Sequence, residues 1–172
     1  MIRILCFGTF DGVHDGHRAM LREARRAGSG DEGVESRKIS NLATTYHLPP
    51  TTYLTVAVAP DAIVNALKGK LPRYTQAKRI QMLKDEHLAD NVVLADDSVG
   101  EWKIIKKIKP GVIALGYDQD ELRASLEEFL DRAYPEVETE TGEWIKNPKR
   151  PTIITLSAHK PDTHHNRIFN SS

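Results

Sequence analysis

The hydrophobic pattern of the chain alternates between short apolar runs and stretches with helical spacing. The first run, Ile2 to Phe7, is continuous and closes at Gly8, which is typical of a strand buried on both faces. The next stretch, His17 to Ala27, spaces its apolar residues along one face of a helix. The chain is therefore expected to open with a strand, a turn and a helix.

The same alternation continues along the rest of the chain. Later strands are predicted at Tyr53 to Ala59, Asn91 to Leu94, Val112 to Leu115 and Thr152 to Leu156. Later helices are predicted at Asp61 to Leu67, from a Thr75 cap to Leu83, Glu101 to Ile108 and Asp120 to Tyr134. This order predicts an α/β fold, a Rossmann-like doubly wound parallel sheet with helices on both faces.

Two segments interrupt this regular pattern. Residues 28–52 contain three glycines, scattered charges and a Pro-Pro pair, and they are interpreted as an insertion. Residues 135–172 form a divergent C-terminal segment. The length of 172 residues suits one domain, so residues 1–172 are expected to form a single domain that carries both segments.

Composition narrows the kinds of partner. The 24 basic side chains balance 24 acidic ones, whereas proteins that bind nucleic acid usually carry a basic face, so a small-molecule partner is favoured.

The single cysteine, Cys6, lies in the first apolar run, so no disulfide can form within the chain. No apolar run approaches the roughly 18 residues of a membrane span, and a cytoplasmic protein is expected.

The turn after the first strand holds the strongest candidate chemistry, with residues 8–17 reading GTFDGVHDGH. Its glycines allow the backbone to approach a bulky ligand, and the amides that open the next helix offer donors at the positive end of the helix dipole. His14 and His17 can both face one anion. The pattern indicates a phosphate site at the carboxyl end of a strand, where doubly wound sheets bind ligands.

Two other interpretations of this turn stay open. The glycines can serve a tight turn with both histidines on the surface, or the histidines can bind a metal together with Asp11 or Asp15. A zinc site would need more ligands at suitable spacing than this turn supplies.

The turn resembles the HxGH signature, within a GTFDGVHxGH context, of the cytidylyltransferase-like nucleotidyltransferase superfamily. Asp61 to Lys70 and Val112 to Gln119 are similar to segments of archaeal-type FAD synthases and glycerol-3-phosphate cytidylyltransferases. The resemblance implies transfer of a nucleoside monophosphate from a nucleoside triphosphate to a phosphorylated small molecule, with release of pyrophosphate. ATP with FMN, giving FAD, is the first expectation; CTP with glycerol 3-phosphate or another polyol phosphate, and phosphopantetheine adenylation, are alternatives. Mg²⁺ held mainly by the phosphates, and a homodimer, are further expectations.

The resemblance also implies roles for individual residues. Expected catalytic residues are His14, His17 and Lys68. Expected nucleotide-binding residues are Gly8, Thr9, Phe10, Asp11, Gly16, Lys70, Gly116, Asn166 and Arg167. Expected substrate-binding residues are Asp11, Arg79, Tyr117, Asp118 and Gln119. From the residues alone, the two lysines can be solvated charges, Arg73 and Lys78 compete with Arg79, and residues 116–119 can form a turn without a ligand.

The C-terminal segment departs from the family pattern. Family members usually carry a late Ser/Thr-rich motif for the triphosphate, whereas the matching residues 159–168 read HKPDTHHNRI. Thr163 or Asn166 can replace the hydroxyls, and Arg167, His164 or His165 can supply positive donors. A solvated tail, or a metal site with His159, are the other interpretations. A protein that binds nucleotide but has lost catalysis, and a fold used only as an interaction scaffold, therefore remain alternative classes of function.

Overall fold

A parallel sheet forms the centre of the fold in the computed structural model, which describes residues 1–28 and 51–158. Over these residues, the sheet strands are β1 (Ile2–Gly8), β2 (Thr52–Val58), β3 (Asn91–Leu94), β4 (Val112–Leu115) and β7 (Thr152–Thr155). Their spatial order is β3-β2-β1-β4-β7, and every neighbouring pair is parallel. The predicted doubly wound α/β fold is confirmed.

Helices cover both faces of the sheet. Successive residues of β1 point to opposite faces, so they pack against helices on opposite sides. Ile4 and Cys6 pack in one cluster with α1 (Asp15–Gly28) and α3 (Gln76–Asp85). Leu5 and Phe7 pack in a second cluster with α4 (Lys103–Ile108) and α5 (Asp120–Ala133). The remaining described helix is α2 (Asp61–Lys68).

Most predicted boundaries agree with the structure to within two residues. Thr75 caps α3 as predicted, and its hydroxyl accepts the Lys78 amide at 3.3 Å. α1 begins at Asp15 instead of His17, because His14 caps the helix. α4 begins after Trp102, whose left-handed backbone (φ 52°) excludes the predicted earlier start at Glu101.

The two irregular segments are described only in part. Residues 29–50 of the expected insertion, and residues 159–172, lie outside the described residues. Residues 135–151 contain an antiparallel pair that the sequence did not predict, β5 (Val137–Glu138) with β6 (Trp144–Ile145). Strands of two residues are too short to show a period, so pattern analysis misses them.

The strand order reverses between β1 and β4, because the chain proceeds from β1 to β2 and β3 on one side and continues with β4 and β7 on the other. The carboxyl ends of these two central strands define the switch point at which doubly wound sheets bind ligands. The turn after β1 and the loop after β4 both start there. Along the described chain, no helix is long and apolar enough to cross a membrane.

Candidate active site

His14 is the cap of α1. Its carbonyl accepts the Arg18 amide at 3.0 Å, and its Nδ1 accepts the amides of Gly16 at 3.1 Å and His17 at 3.4 Å. An accepting Nδ1 carries no hydrogen, so the neutral ring has its hydrogen on Nε2. Two helix amides that were expected to be open to a phosphate are therefore occupied by the His14 ring, which corrects that part of the expectation.

Gly16 is required by the position of the His14 ring. A Cβ at Gly16 would lie 2.9 Å from His14 Cε1, closer than side chains pack. A Cβ at Gly8 would similarly lie 2.6 Å from Cε2 of Phe10. The Phe10 side chain is only 2% exposed, so it belongs to the core and only its backbone remains for the expected contact with a nucleotide.

His17 lies between two rings. Its imidazole stacks on that of His14, with centroids 3.8 Å apart and an interplanar angle of 23°, and its centroid is 5.0 Å from that of Phe10. Burial, followed by the nearby His14, lowers the pKa of His17 from 6.5 to about 4. Its buried Nδ1 has no hydrogen-bond partner among the described residues. His17 is thus neutral at pH 7, and its buried Nδ1 is left unsatisfied by the part of the chain that the structure describes.

Asp11 ties the β1 turn to the loop between α2 and α3. Its two carboxylate oxygens accept the backbone amides of Arg73, at 2.7 Å, and Tyr74, at 2.9 Å. Both oxygens are thus engaged by backbone amides, and the expected binding of nucleotide and substrate by Asp11 stays a prediction. Its position next to the histidine turn made it a candidate from sequence, but its partners lie more than sixty residues away.

Arg79 is fully buried and holds three loops together. Its guanidinium donates to the carboxylate of Asp61 and to backbone carbonyls of the surrounding loops, those of Thr9, Ala59 and Tyr74. A side chain with no exposed surface cannot contact a substrate, so the expected substrate-binding role of Arg79 is wrong in this structure. Asp61, its acidic partner, was not singled out from the sequence.

Gln119 joins the two central strands at the switch point. Its Oε1 accepts the Gly116 amide at 2.7 Å, and its Nε2 donates to the Phe7 carbonyl at 3.1 Å. Both ends of the amide are therefore used within the protein, and the expected contact of Gln119 with substrate stays a prediction. Its loop neighbours Tyr117 and Asp118 are exposed beside it, and they remain predicted substrate contacts.

The two predicted lysines are exposed on either side of Gly69, whose left-handed backbone (φ 68°) ends α2. Neither Lys68 nor Lys70 forms a salt bridge with any residue that the structure describes. The predicted ligands Asn166 and Arg167 lie outside the described residues, as do the late histidines. Within residues 1–28 and 51–158, no group of three or more His, Cys, Asp or Glu side chains is arranged to hold a metal ion.

Comparisons with known proteins agree with this architecture. No family model matches the chain. It is 30% identical over 131 residues to the FAD synthase of Thermococcus sibiricus, and the alignment spans 76% of this chain and 73% of the relative. It is 34% identical over 119 residues to the FAD synthase of Pyrococcus abyssi, across 69% of this chain and 65% of that protein.

A solved structure supports the fold. The lipopolysaccharide core biosynthesis protein of Thermoplasma volcanium superposes with a TM-score of 0.64 over 92% of this chain and 98% of its own, at 23% identity. The family is shown by the two FAD synthases, because their similarity to this chain extends over about two thirds to three quarters of each protein. This chain belongs to the archaeal FAD synthase family of nucleotidyltransferases.

Proposed function

We propose that this protein is an adenylyltransferase that makes FAD from ATP and FMN. Two findings support this proposal: the similarity to archaeal FAD synthases and the position of one pair of histidines. The stacked pair of His14 and His17 lies at the start of α1, directly beyond the carboxyl end of β1. This is the position at which α/β sheets of this kind bind phosphorylated ligands.

The proposed reaction is a single in-line displacement. A phosphate oxygen of FMN attacks the α-phosphorus of ATP, the bond between that phosphorus and the bridging oxygen breaks, and the electron pair leaves with pyrophosphate. Because the FMN phosphate is already ionised near neutral pH, it needs no strong general base. The protein's task is then to position the two reactants and to stabilise the charge that grows on the α-phosphate.

The histidine pair would carry that stabilisation. The cap geometry fixes the ring of His14, and the stack fixes His17 against it. His17 is neutral in the free protein because burial lowers its pKa, so it offers hydrogen bonds rather than a resident positive charge. A phosphate anion close to the ring would raise that pKa and strengthen the interaction.

The surrounding residues would complete the site. Lys68 and Lys70, exposed beyond α2, are proposed to neutralise phosphates of the nucleotide, while Tyr117 and Asp118 would contact a ring or its polar edge. Asn166 and Arg167 are proposed to replace the hydroxyl motif of other family members. Mg²⁺ is proposed to enter with the triphosphate, which supplies the oxygen ligands that it prefers.

The test is pyrophosphate release from ATP or CTP, each with FMN, glycerol 3-phosphate or phosphopantetheine. Release with ATP and FMN, together with FAD in the products, would support the proposal. Release with another pair would replace the substrates, and nucleotide binding with no release would favour a binding protein. His17→Ala should reduce turnover by roughly 100-fold or more, whereas His87→Ala, an exposed histidine beyond the end of α3, is the matched control.

A further inference from the structure

Arg73 lies beside the histidine turn through a contact that the sequence does not reveal. Its backbone amide donates to Asp11 Oδ2 at 2.7 Å, and the next amide, that of Tyr74, donates to the other oxygen of the same carboxylate. Two hydrogen bonds to one side chain fix both the position and the direction of this dipeptide. The base of the Arg73 side chain is thus anchored to the β1 turn.

The guanidinium of Arg73 is also oriented. Its Cζ lies 5.4 Å from the centroid of the Tyr74 ring, a distance at which a cation is attracted to the face of an aromatic ring. The residue is exposed, and within the described chain it forms no salt bridge. An exposed guanidinium in this position carries a planar set of N–H donors, which bind a phosphate in pairs.

The Tyr74 ring connects Arg73 to the histidines. A Cβ at Gly12 would lie 3.8 Å from Cε2 of Tyr74, so the ring packs against the backbone of the β1 turn. Asp11 and the Tyr74 ring therefore both tie Arg73 to the turn that carries His14 and His17.

We propose that Arg73 binds a phosphate group of one of the two reactants, the role that the buried Arg79 cannot fill. The inference rests on the proposed function, because it assigns a residue to that same site. The phosphate is either that of the flavin acceptor or one of the triphosphate, since both carry the same chemistry. A separate binding experiment on each reactant distinguishes the two sources.

The experiment measures equilibrium binding by calorimetry, with FMN and with a non-hydrolysable ATP analogue. Arg73→Ala should weaken one of the two affinities by roughly 10- to 100-fold, because a hydrogen-bonded charge is lost, and the ligand that weakens identifies the source. Riboflavin and adenosine lack phosphate, so their binding should not change. Arg73→Lys should show a smaller loss, since it keeps the charge but not the planar pair of donors.

The matched control is Lys84→Ala, which removes one exposed positive charge from the last turn of α3. It should leave both affinities unchanged. If Arg73→Ala binds FMN and the ATP analogue within about twofold of the unaltered protein, the inference is overturned. If the unaltered protein itself binds neither ligand, the proposed function fails, and that result is distinct from failure of Arg73 alone. Thermal unfolding of each variant verifies that the chain is folded.

Discussion

Arg79 and Asp61 form an ion pair beneath the candidate site, with Nη2 of the arginine 2.7 Å from Oδ1 of the aspartate. Burial pushes the pKa of Asp61 upward, but hydrogen bonds from Arg79 and from the Gln76 backbone outweigh it, so the pKa lies below its usual value. The Asp61 carboxyl is therefore ionised at neutral pH. Through the ion pair, the loops that follow β1 and β2 are fixed to the start of α3.

Replacing Arg79 should destabilise the protein strongly. Arg79→Ala leaves a carboxylate and backbone carbonyls without their donor, and we expect the free energy of unfolding to fall by about 3 kcal/mol or more. Urea denaturation followed by circular dichroism measures this. Lys78→Ala, one residue earlier and exposed, should stay within about 0.5 kcal/mol of the unaltered protein. Similar midpoints for both variants would contradict a structural role for Arg79.

The stability of the protein should depend on the ionisation of His17. The pKa of His17 is about 4 in the folded protein, against 6.5 for an unperturbed histidine, so the unfolded chain binds more protons between these values. The free energy of unfolding should consequently fall as the pH drops from 6.5 towards 4, by up to about 3 kcal/mol.

The pH dependence is measured by denaturant unfolding of the unaltered protein and of His17→Gln across this range. The variant has no titrating group at position 17, so its loss of stability should be smaller. Proton NMR gives an independent reading, in which the His17 ring stays neutral down to about pH 5. A His17 ring that titrates near its ordinary pKa would refute the prediction.

Adding one methyl group at Gly16 should damage the site. At an ordinary exposed helix position, Gly→Ala stabilises by up to about 1 kcal/mol. At Gly16 the new Cβ would lie 2.9 Å from the His14 ring, so the cap and the histidine stack must shift. We expect turnover to fall by at least about tenfold, because small displacements of catalytic groups are costly.

The control for this change is Gly111→Ala. A Cβ there would lie 3.9 Å from its nearest neighbour, the Arg3 carbonyl oxygen, which is an ordinary contact distance. Unchanged turnover in both variants would show that the His14 position does not matter for the reaction.

The Gln119 side chain joins the Gly116 amide to the Phe7 carbonyl, and loss of its N–H donor alone should lower the stability of the protein. Gln119→Glu keeps the oxygen that accepts the Gly116 amide but places a second oxygen near the Phe7 carbonyl. We expect a loss of stability of about 1–3 kcal/mol, since the carbonyl loses its partner. Thermal and urea unfolding measure this change, and Asn65→Asp, at an exposed amide side chain of α2, is the control. Equal stability of the two variants would contradict a bridging role.

The order of the elements and the place of the candidate site follow from local patterns in the sequence. β3 and β4 occupy the residues predicted for them, Asn91–Leu94 and Val112–Leu115, because apolar periodicity is a local property. The histidine turn was recognised for the same reason: its glycines and histidines are contiguous, so spacing alone indicated a strand, a turn and a helix start.

The contacts of the polar residues around that turn depend on how the whole chain folds. Gln119 reaches Phe7 across 112 positions of the chain, and Arg79 reaches Thr9 across 70. In sequence, a polar side chain near a cleft looks the same whether it faces a ligand or a distant carbonyl. Burial and hydrogen-bond partners distinguish the two cases, and both depend on contacts between residues far apart in the chain, which local patterns do not encode.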